Sequence, residues 1–391
     1  MSAGSSARHA AGQRVEISVR PRLRISGVAV YLAAVLVAVA GCMTVGGGAT
    51  PEPPPAPAPT QQPAAGPWVV DTREHVDLWL HAFAMLQGDS TRVPFFRRGY
   101  RDSVVAARKR ANVLSMIDVN RGTLSARFVA FPNLVSAQFV PLYFGTWEET
   151  RQSAELFLRN NGNDRNAGDL HSQQIIQLFS GYFPTSADRE WLRLFVQAVE
   201  DERVKFFASY WRAEQLRRSA ARAVVDSLWR TTYRQRFARF LNNSGADRGS
   251  LLLSLPLDGE GRTLDVGQRT RLVTVNFPDT PANAREALYT FVHEIVSSVT
   301  TIAIDDNTSP ADKRNGTVDR YASNALVRGG ALMLQRAAPE LADGYARYYL
   351  RSARVPFTSG DAMAALAAAF PLPDAIRDGI QRQIELVMGG I

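Results

Sequence analysis

The sequence predicts a mainly α (α+β) fold, in which a helical body is combined with a small sheet and further C-terminal helices. Apolar residues recur at helical spacing through most of the chain after residue 68, and helix-start signals precede the longest of these segments. Two short apolar or alternating runs interrupt that spacing and indicate strands. We divide the chain into residues 1–41, 42–67, 68–245 and 246–391.

Residues 1–41 have the layout of an export signal. The arginine-rich segment 20–24 precedes an uncharged stretch, 25–41, that is shorter than the roughly 20 residues a membrane-spanning helix needs. The stretch ends in Val39-Ala40-Gly41-Cys42, and Cys42 is the only cysteine. These residues resemble the lipobox of bacterial lipoproteins, which implies signal cleavage and lipidation at Cys42. The alternative is an uncut signal anchor.

Residues 42–67 are predicted to be a tether. Eight prolines and a run of three glycines give a composition that cannot bury a core. Acyl chains on Cys42 would hold the body at a membrane surface without crossing it. Met43 follows the cysteine at the position where, by resemblance to the sorting rules of proteobacterial lipoproteins, an aspartate would favour the inner membrane. In a cell with two membranes, the expected location is therefore the outer membrane, facing the periplasm. The predicted location is therefore the cell envelope.

The charge of the mature chain argues against a nucleic-acid partner. Residues 1–41 hold five arginines and one glutamate, so their removal lowers the net charge from +8 to +4. Arginines are frequent in the segment 202–239, but acidic residues are interleaved with them, which favours a solvated face over a surface for polyanions or lipid headgroups. The expected partners are the membrane, through the N-terminal lipid, and an unidentified envelope protein or ligand.

Residues 68–245 are predicted to be a helical N-terminal region. Apolar spacing predicts helices over 71–86 and 103–114. The β-branched and aromatic stretches 127–131 and 137–144 are interrupted by prolines, and we leave open whether they are short strands or an irregular apolar loop. The segment 184–243 has the strongest helical pattern, with Thr185 as its cap, and predicts two long helices.

Residues 246–391 are predicted to contain the small sheet and the C-terminal helices. The runs 250–257 and 271–277 are predicted strands, joined through the glycine-containing turn 258–262. Thr280-Pro281 begins a helix that extends to about residue 303, and the polar residues 305–307 end it. Further helices are predicted over 321–337, 339–352 and 374–388.

The helix after the second strand contains Phe291-Val292-His293-Glu294-Ile295-Val296-Ser297. Strand, glycine turn, strand and this helix resemble the core of gluzincin zinc metallopeptidases, in which two histidines of H-E-x-x-H bind zinc and the glutamate activates water. The resemblance implies that His293 is a metal ligand and that Glu294 is the catalytic base. Ser297 stands where the second histidine is needed.

The downstream stretch Tyr321 to Leu332 resembles the gluzincin helix that supplies a third ligand. Asn324 occupies the place of the ligand glutamate, and Arg328 occupies a second acidic position. We expect Arg328 to pair with Glu294 and to replace the metal charge, so that no cofactor binds. Glu260 and Arg262 either line a cleft above the sheet or lie at a solvated hairpin tip.

These residues lead to one main hypothesis and two alternatives. The main hypothesis is a non-catalytic envelope lipoprotein that uses a degenerate metallopeptidase-like scaffold for binding. The first alternative is a zinc peptidase in which His293 and Glu294 join ligands from elsewhere, such as His75 or His81. The second is a structural spacer, in which the His-Glu pair is a coincidence and His293 is a core histidine.

Overall fold

The computed structural model describes residues 68–88 and 92–389. The predicted export signal, Cys42 and the predicted tether lie outside the described residues. The predicted fold class is confirmed, because most of the described chain is helical and four strands form a small mixed sheet.

The N-terminal helices surround α1 (Glu74–Leu86), whose apolar residues face neighbours on every side. Trp79 and Phe83 of α1 pack against Phe195, with ring centroids 4.8 and 5.3 Å apart. This aromatic packing places α1 at the centre of the region. The helices here are α1 (Glu74–Leu86), α2 (Tyr100–Arg110), α3 (Met116–Val119), α4 (Arg121–Ala130), α5 (Trp147–Arg159) and α6 (Leu170–Tyr182).

The strand interpretation of 127–131 and 137–144 is wrong. Arg127 lies within α4, and 3₁₀ turns extend over Pro132–Tyr143. Prolines in this segment lack the N–H groups that a strand ladder requires. The segment packs against α1 instead, where the Trp79 indole donates to the Ala137 carbonyl over 2.9 Å.

The two long helices predicted over 184–243 are confirmed, although each contains a π-helical turn. Thr185 and Asp188 form a reciprocal capping box at the first helix start. Arg218 separates the two helices. The first comprises α7 (Ser186–Glu202), a π turn (Arg203–Phe207) and α8 (Ala208–Arg217); the second comprises α9 (Ser219–Leu228), a π turn (Trp229–Tyr233) and α10 (Arg234–Asn243).

The sheet contains both predicted strands and two short strands that were not predicted. Its strands are β1 (Val69–Asp71), β2 (Arg248–Ser254), β3 (Arg262–Asp265) and β4 (Thr270–Asn276), in the spatial order β1-β2-β4-β3. β1, β2 and β4 are parallel, and β3 is antiparallel to β4 at the edge. The hairpin-tip interpretation of residues 258–262 is therefore wrong, because β2 and β4 are parallel and cannot form a hairpin.

The C-terminal helices begin with α11 (Arg285–Ile295) and α12 (Ser297–Asp306), separated at Val296. Asn307 ends α12, as predicted. The stretch Pro281–Asp306 is apolar and long enough for a membrane span, yet 78% of its most apolar window is buried inside the protein. The later helices are α13 (Pro310–Arg314), α14 (Thr317–Ala337), α15 (Pro339–Ser352), α16 (Ala362–Ala369) and α17 (Asp374–Val387).

Candidate functional site

His293 and Glu294 lie near the C-terminal end of α11, beneath the turn that leads into β3. The Glu294 Oε1 atom accepts a hydrogen bond from the Gly261 backbone N–H over 2.9 Å. The same oxygen lies 3.1 Å from His293 Nδ1. A Cβ on Gly261 would lie 1.9 Å from the Thr274 carbonyl oxygen, so only glycine allows this approach. The carboxylate therefore connects α11 to the edge of the sheet.

The His293 ring is enclosed by the protein. Its side chain is 2% exposed. The Tyr349 ring of α15 stacks on it at a centroid distance of 5.3 Å and an interplanar angle of 17°. The Tyr349 hydroxyl donates to the Gly259 carbonyl over 2.9 Å. The turn 259–261 and α15 together cover the His293–Glu294 pair.

Partners of Glu294 lower its pKa in spite of burial. Burial is the largest influence and raises the pKa. The hydrogen bond and charge of His293, the charge of Arg262 and the Gly261 N–H together outweigh burial, so the pKa of Glu294 is below its ordinary value. Glu294 is therefore a buried carboxylate that the surrounding donors keep ionised.

Arg262 is the arginine whose charge acts on Glu294. Its guanidinium lies over the rings of Phe95 and Phe139, at 5.3 and 4.9 Å from their centroids, and donates to the Gly261 carbonyl over 2.9 Å. The neighbouring Glu260 is partly buried. Glu260 lies in the turn 259–261 that covers the pair, and Arg262 is the first residue of β3.

The expected pairing of Arg328 with Glu294 is wrong. Arg328 Nη1 donates to the carbonyls of Ala367 and Phe370, over 3.3 and 3.5 Å, and Asn324 Nδ2 donates to the Pro371 carbonyl over 2.9 Å. The last carbonyls of a helix lack partners within it. α14 supplies donors to one such carbonyl of α16 and to the carbonyls of the two residues that follow α16. Burial lowers the pKa of Arg328, and the nearby Arg377 lowers it further.

The donor set at the three motif positions does not fit zinc. Ser297 begins α12 beyond the interruption at Val296, and its hydroxyl is a poor zinc ligand. Asn324 is an amide that is already bonded to a carbonyl. Within residues 68–88 and 92–389, no group of three or more His, Cys, Asp or Glu side chains is arranged to hold a metal ion.

His75 and His81, the other proposed ligands, have partners of their own. The His75 Nε2 atom lies 3.0 Å from the Phe144 carbonyl oxygen. His81 Nε2 lies 3.0 Å from Glu202 Oε1, and its Nδ1 lies 3.0 Å from the Tyr100 hydroxyl. Both imidazoles therefore contribute to hydrogen bonds within the N-terminal region.

Sequence reasoning missed a buried ionic network around Glu202. Besides His81, the Glu202 carboxylate binds Arg108 Nη1 over 2.9 Å, and Arg108 also pairs with Asp118 at 3.0 Å. Glu202 and His81 are both completely buried. The signal available in the sequence was the pair Asp77 and His81, four residues apart in the otherwise apolar stretch 76–86.

A second missed feature lies where β2 ends. Asp77 Oδ1 accepts from the Ser254 hydroxyl over 2.6 Å and from the Leu255 N–H over 3.2 Å, while Oδ2 accepts from the Trp211 indole over 2.9 Å. Burial raises the pKa of Asp77 to about 7, against the opposing effect of these donors. Asp77 is therefore a buried acid that titrates near neutral pH.

Comparison with known proteins gives no assignment. No family model, curated protein or solved structure matches this chain. Among the predicted site residues within the described parts, His293 contacts Glu294, which also binds the N–H of Gly261, the residue between Glu260 and Arg262. Asn324 and Arg328 bind elsewhere.

Proposed function

We propose that this chain is a lipid-anchored protein of the bacterial cell envelope whose folded body binds a partner protein or ligand and catalyses no reaction. The lipobox-like segment ending at Cys42 supports the anchor. The proposed location is the outer membrane, facing the periplasm. In the body, a degenerate metallopeptidase-like scaffold serves as the framework for binding.

One observation carries the non-catalytic part of the proposal, namely the hydrogen bond from the Gly261 N–H to Glu294 Oε1. A general base must reach the proton that it abstracts. Here the carboxylate is 7% exposed and holds the covering turn in place. Activation of a water molecule by Glu294 would require that turn to open. A structural role for this carboxylate explains the same contacts without any such movement.

Metal analysis tests the non-catalytic proposal. Full-length protein purified in detergent is expected to contain no stoichiometric zinc, because Ser297 and Asn324 replace the two other ligands of the motif. The measurement is elemental analysis after dialysis against trace zinc. About one equivalent of bound zinc that disappears in His293→Ala would contradict the proposal. His171→Ala is the matched control, since His171 is an exposed histidine on α6.

Processing of the precursor tests the anchor separately. Cys42→Ala is expected to accumulate as an uncut, unlipidated precursor, because the thiol is the proposed acceptor of diacylglycerol. Intact-mass measurement of membrane and soluble fractions distinguishes precursor from mature protein. Met43→Ala is the control and should be processed normally. A Cys42→Ala protein that is cut at the same bond would contradict lipidation at this residue.

A further inference from the structure

Helix α8 is held to the protein by unusually little packing. Each of its residues is half-buried or exposed, and its largest aliphatic side chain, Leu216, is 77% exposed. Helices in proteins owe most of their stability to an apolar face that packs on the core. Because α8 buries none of its own residues fully, its position depends on a few specific contacts.

Both ends of α8 are attached to the body of the protein. The π turn that precedes it buries Phe206 and Phe207. Beyond its other end, Arg218 Nη1 donates to the Phe277 carbonyl over 2.5 Å, and Arg218 Nη2 pairs with Asp279 at 2.6 Å. Helices bend at π turns, and residues at the ends of elements absorb the backbone changes of hinges. α8 is therefore a strap, anchored at both ends with a hinge position at each.

Between its ends, the strap reaches a buried carboxyl group. The Trp211 indole of α8 donates to Asp77 Oδ2 over 2.9 Å. The other oxygen of Asp77 accepts from Ser254 and Leu255 at the end of β2. Asp77 is only 1% exposed. Trp211 thus closes the α8 side of this carboxyl group, and movement of α8 away from α1 would admit water to it.

The elements packed around Asp77 govern its ionisation. Arg218 favours the carboxylate, and the donors at the end of β2 are uncharged. The Tyr100 hydroxyl of α2 also lies near Asp77 and stays protonated, because burial raises its pKa well above the ordinary value. Tyr100 in turn contacts His81 in the ionic network of Glu202. Burial outweighs the donors and the charge of Arg218, and raises the pKa of Asp77 to about 7.

We propose that α8 is a strap that closes over Asp77 while this residue is protonated and is released when it ionises. Release brings water to the carboxylate and uncovers the end of β2. That end belongs to the edge formed by the carboxyl ends of the parallel strands, where open parallel sheets bind their ligands. The strap makes access to this edge depend on pH. The inference rests neither on the membrane anchor nor on the proposed binding function.

The direction of the pH effect follows from linkage. Water at the carboxylate removes the effect of burial, so the docked form holds the Asp77 proton more tightly than the released form does. Docking is therefore favoured at low pH and is lost as the pH rises through 7. The hydrogen bond from the Trp211 indole becomes stronger on ionisation and opposes release, but burial outweighs this donor too.

Hydrogen exchange, measured by mass spectrometry on the full-length protein in detergent, tests the proposal. After correction for the intrinsic pH dependence of exchange, the protection factors of α8 amides should fall by about tenfold from pH 5 to pH 6.5, because release is linked to the loss of one proton. Amides of α7 should keep their protection over the same range. Protection of α8 that is independent of pH, or equal losses in α7 and α8, would overturn the proposal.

A pair of aspartate variants shows whether Asp77 is the group that titrates. Asp77→Asn cannot ionise, so its α8 protection should not change between pH 5 and pH 6.5. Asp102→Asn is the matched control, since Asp102 is an exposed aspartate of α2, and it should behave as the wild type does. If Asp77→Asn keeps the pH dependence of the wild type, the assignment to Asp77 is wrong. Circular dichroism of each variant confirms that it is folded.

A change in α8 itself tests the contact that fastens the strap without altering Asp77. Trp211→Phe keeps an aromatic ring but removes the indole N–H, so α8 protection at pH 5 should fall by about fivefold, the effect of one lost hydrogen bond. Protection of α7 should again be unchanged. Wild-type protection of α8 in Trp211→Phe would contradict the role of this contact in docking.

Discussion

Replacing Glu202 with alanine is expected to lower the free energy of unfolding by about 3–5 kcal/mol, the cost of removing one partner from a buried ion pair. The carboxylate binds His81 and Arg108, and all three side chains are at most 3% exposed. Without Glu202, Arg108 keeps only Asp118, which is 23% exposed, as its acidic partner. Urea denaturation, followed by circular dichroism, measures the loss.

Two comparisons show whether the loss comes from the ionic network. Glu190→Ala alters an exposed glutamate on the same helix and should change stability by less than about 0.5 kcal/mol. Glu202→Ala combined with Arg108→Ala should cost less than the sum of the single changes, because the double variant also removes the buried guanidinium that Glu202→Ala leaves with Asp118 alone. Similar effects of Glu190→Ala and Glu202→Ala would show that the network does not stabilise the fold.

The sequence allowed prediction of those elements whose pattern is long enough to define a period. The apolar run of β2 and the alternation in β4 predicted two strands, and apolar spacing with the Thr185 cap predicted the helices between Pro184 and Asn243. β1 has three residues, too few to define an alternation. The aromatic content of Pro132–Tyr143 suits a strand or any buried segment equally. Packing against α1 determines the conformation of that segment.

The pairing of β1 also changes how the proposed boundary at residue 245 is understood. β1 precedes the helical region but pairs in parallel with β2. Asp77 of α1 binds Ser254 and Leu255 at the end of β2. The N-terminal region and the sheet therefore share backbone pairing and a buried carboxylate, both of which join residues distant in sequence.

Prediction of the candidate site succeeded for local features and failed for distant ones. The sequence placed His293 and Glu294 next to each other on a helix. It could not identify Gly261 and Tyr349 as their covering neighbours, because those contacts depend on how α15 and the turn before β3 fold over α11. The error at Arg328 has the same origin, since helical spacing does not reveal that α16 presents unpaired carbonyls to α14.

Two buried groups of α1, Asp77 and His75, should make the free energy of unfolding depend on pH in opposite directions. Burial raises the pKa of Asp77 from 3.8 to about 7. The contribution of Asp77 to the free energy of unfolding is therefore complete below pH 4 and is lost as the pH rises through 7. Burial also lowers the pKa of His75 from 6.5 to about 4, against the hydrogen bond to the Phe144 carbonyl. The contribution of His75 is complete above pH 6.5 and is lost as the pH falls towards 4.

Between pH 4.5 and 6.5 the two contributions cancel in the wild-type protein, and single substitutions should reveal each of them. Relative to wild type, the free energy of unfolding of Asp77→Asn should fall by about 1.4 kcal/mol for each unit that the pH falls, because of these two groups only His75 then titrates. His75→Gln should lose about the same amount for each unit that the pH rises, because only Asp77 remains. Urea denaturation at several pH values within this range measures the slopes. Surface carboxylates affect all three proteins alike, so parallel curves for the variants and the wild type would contradict the opposed titrations of Asp77 and His75.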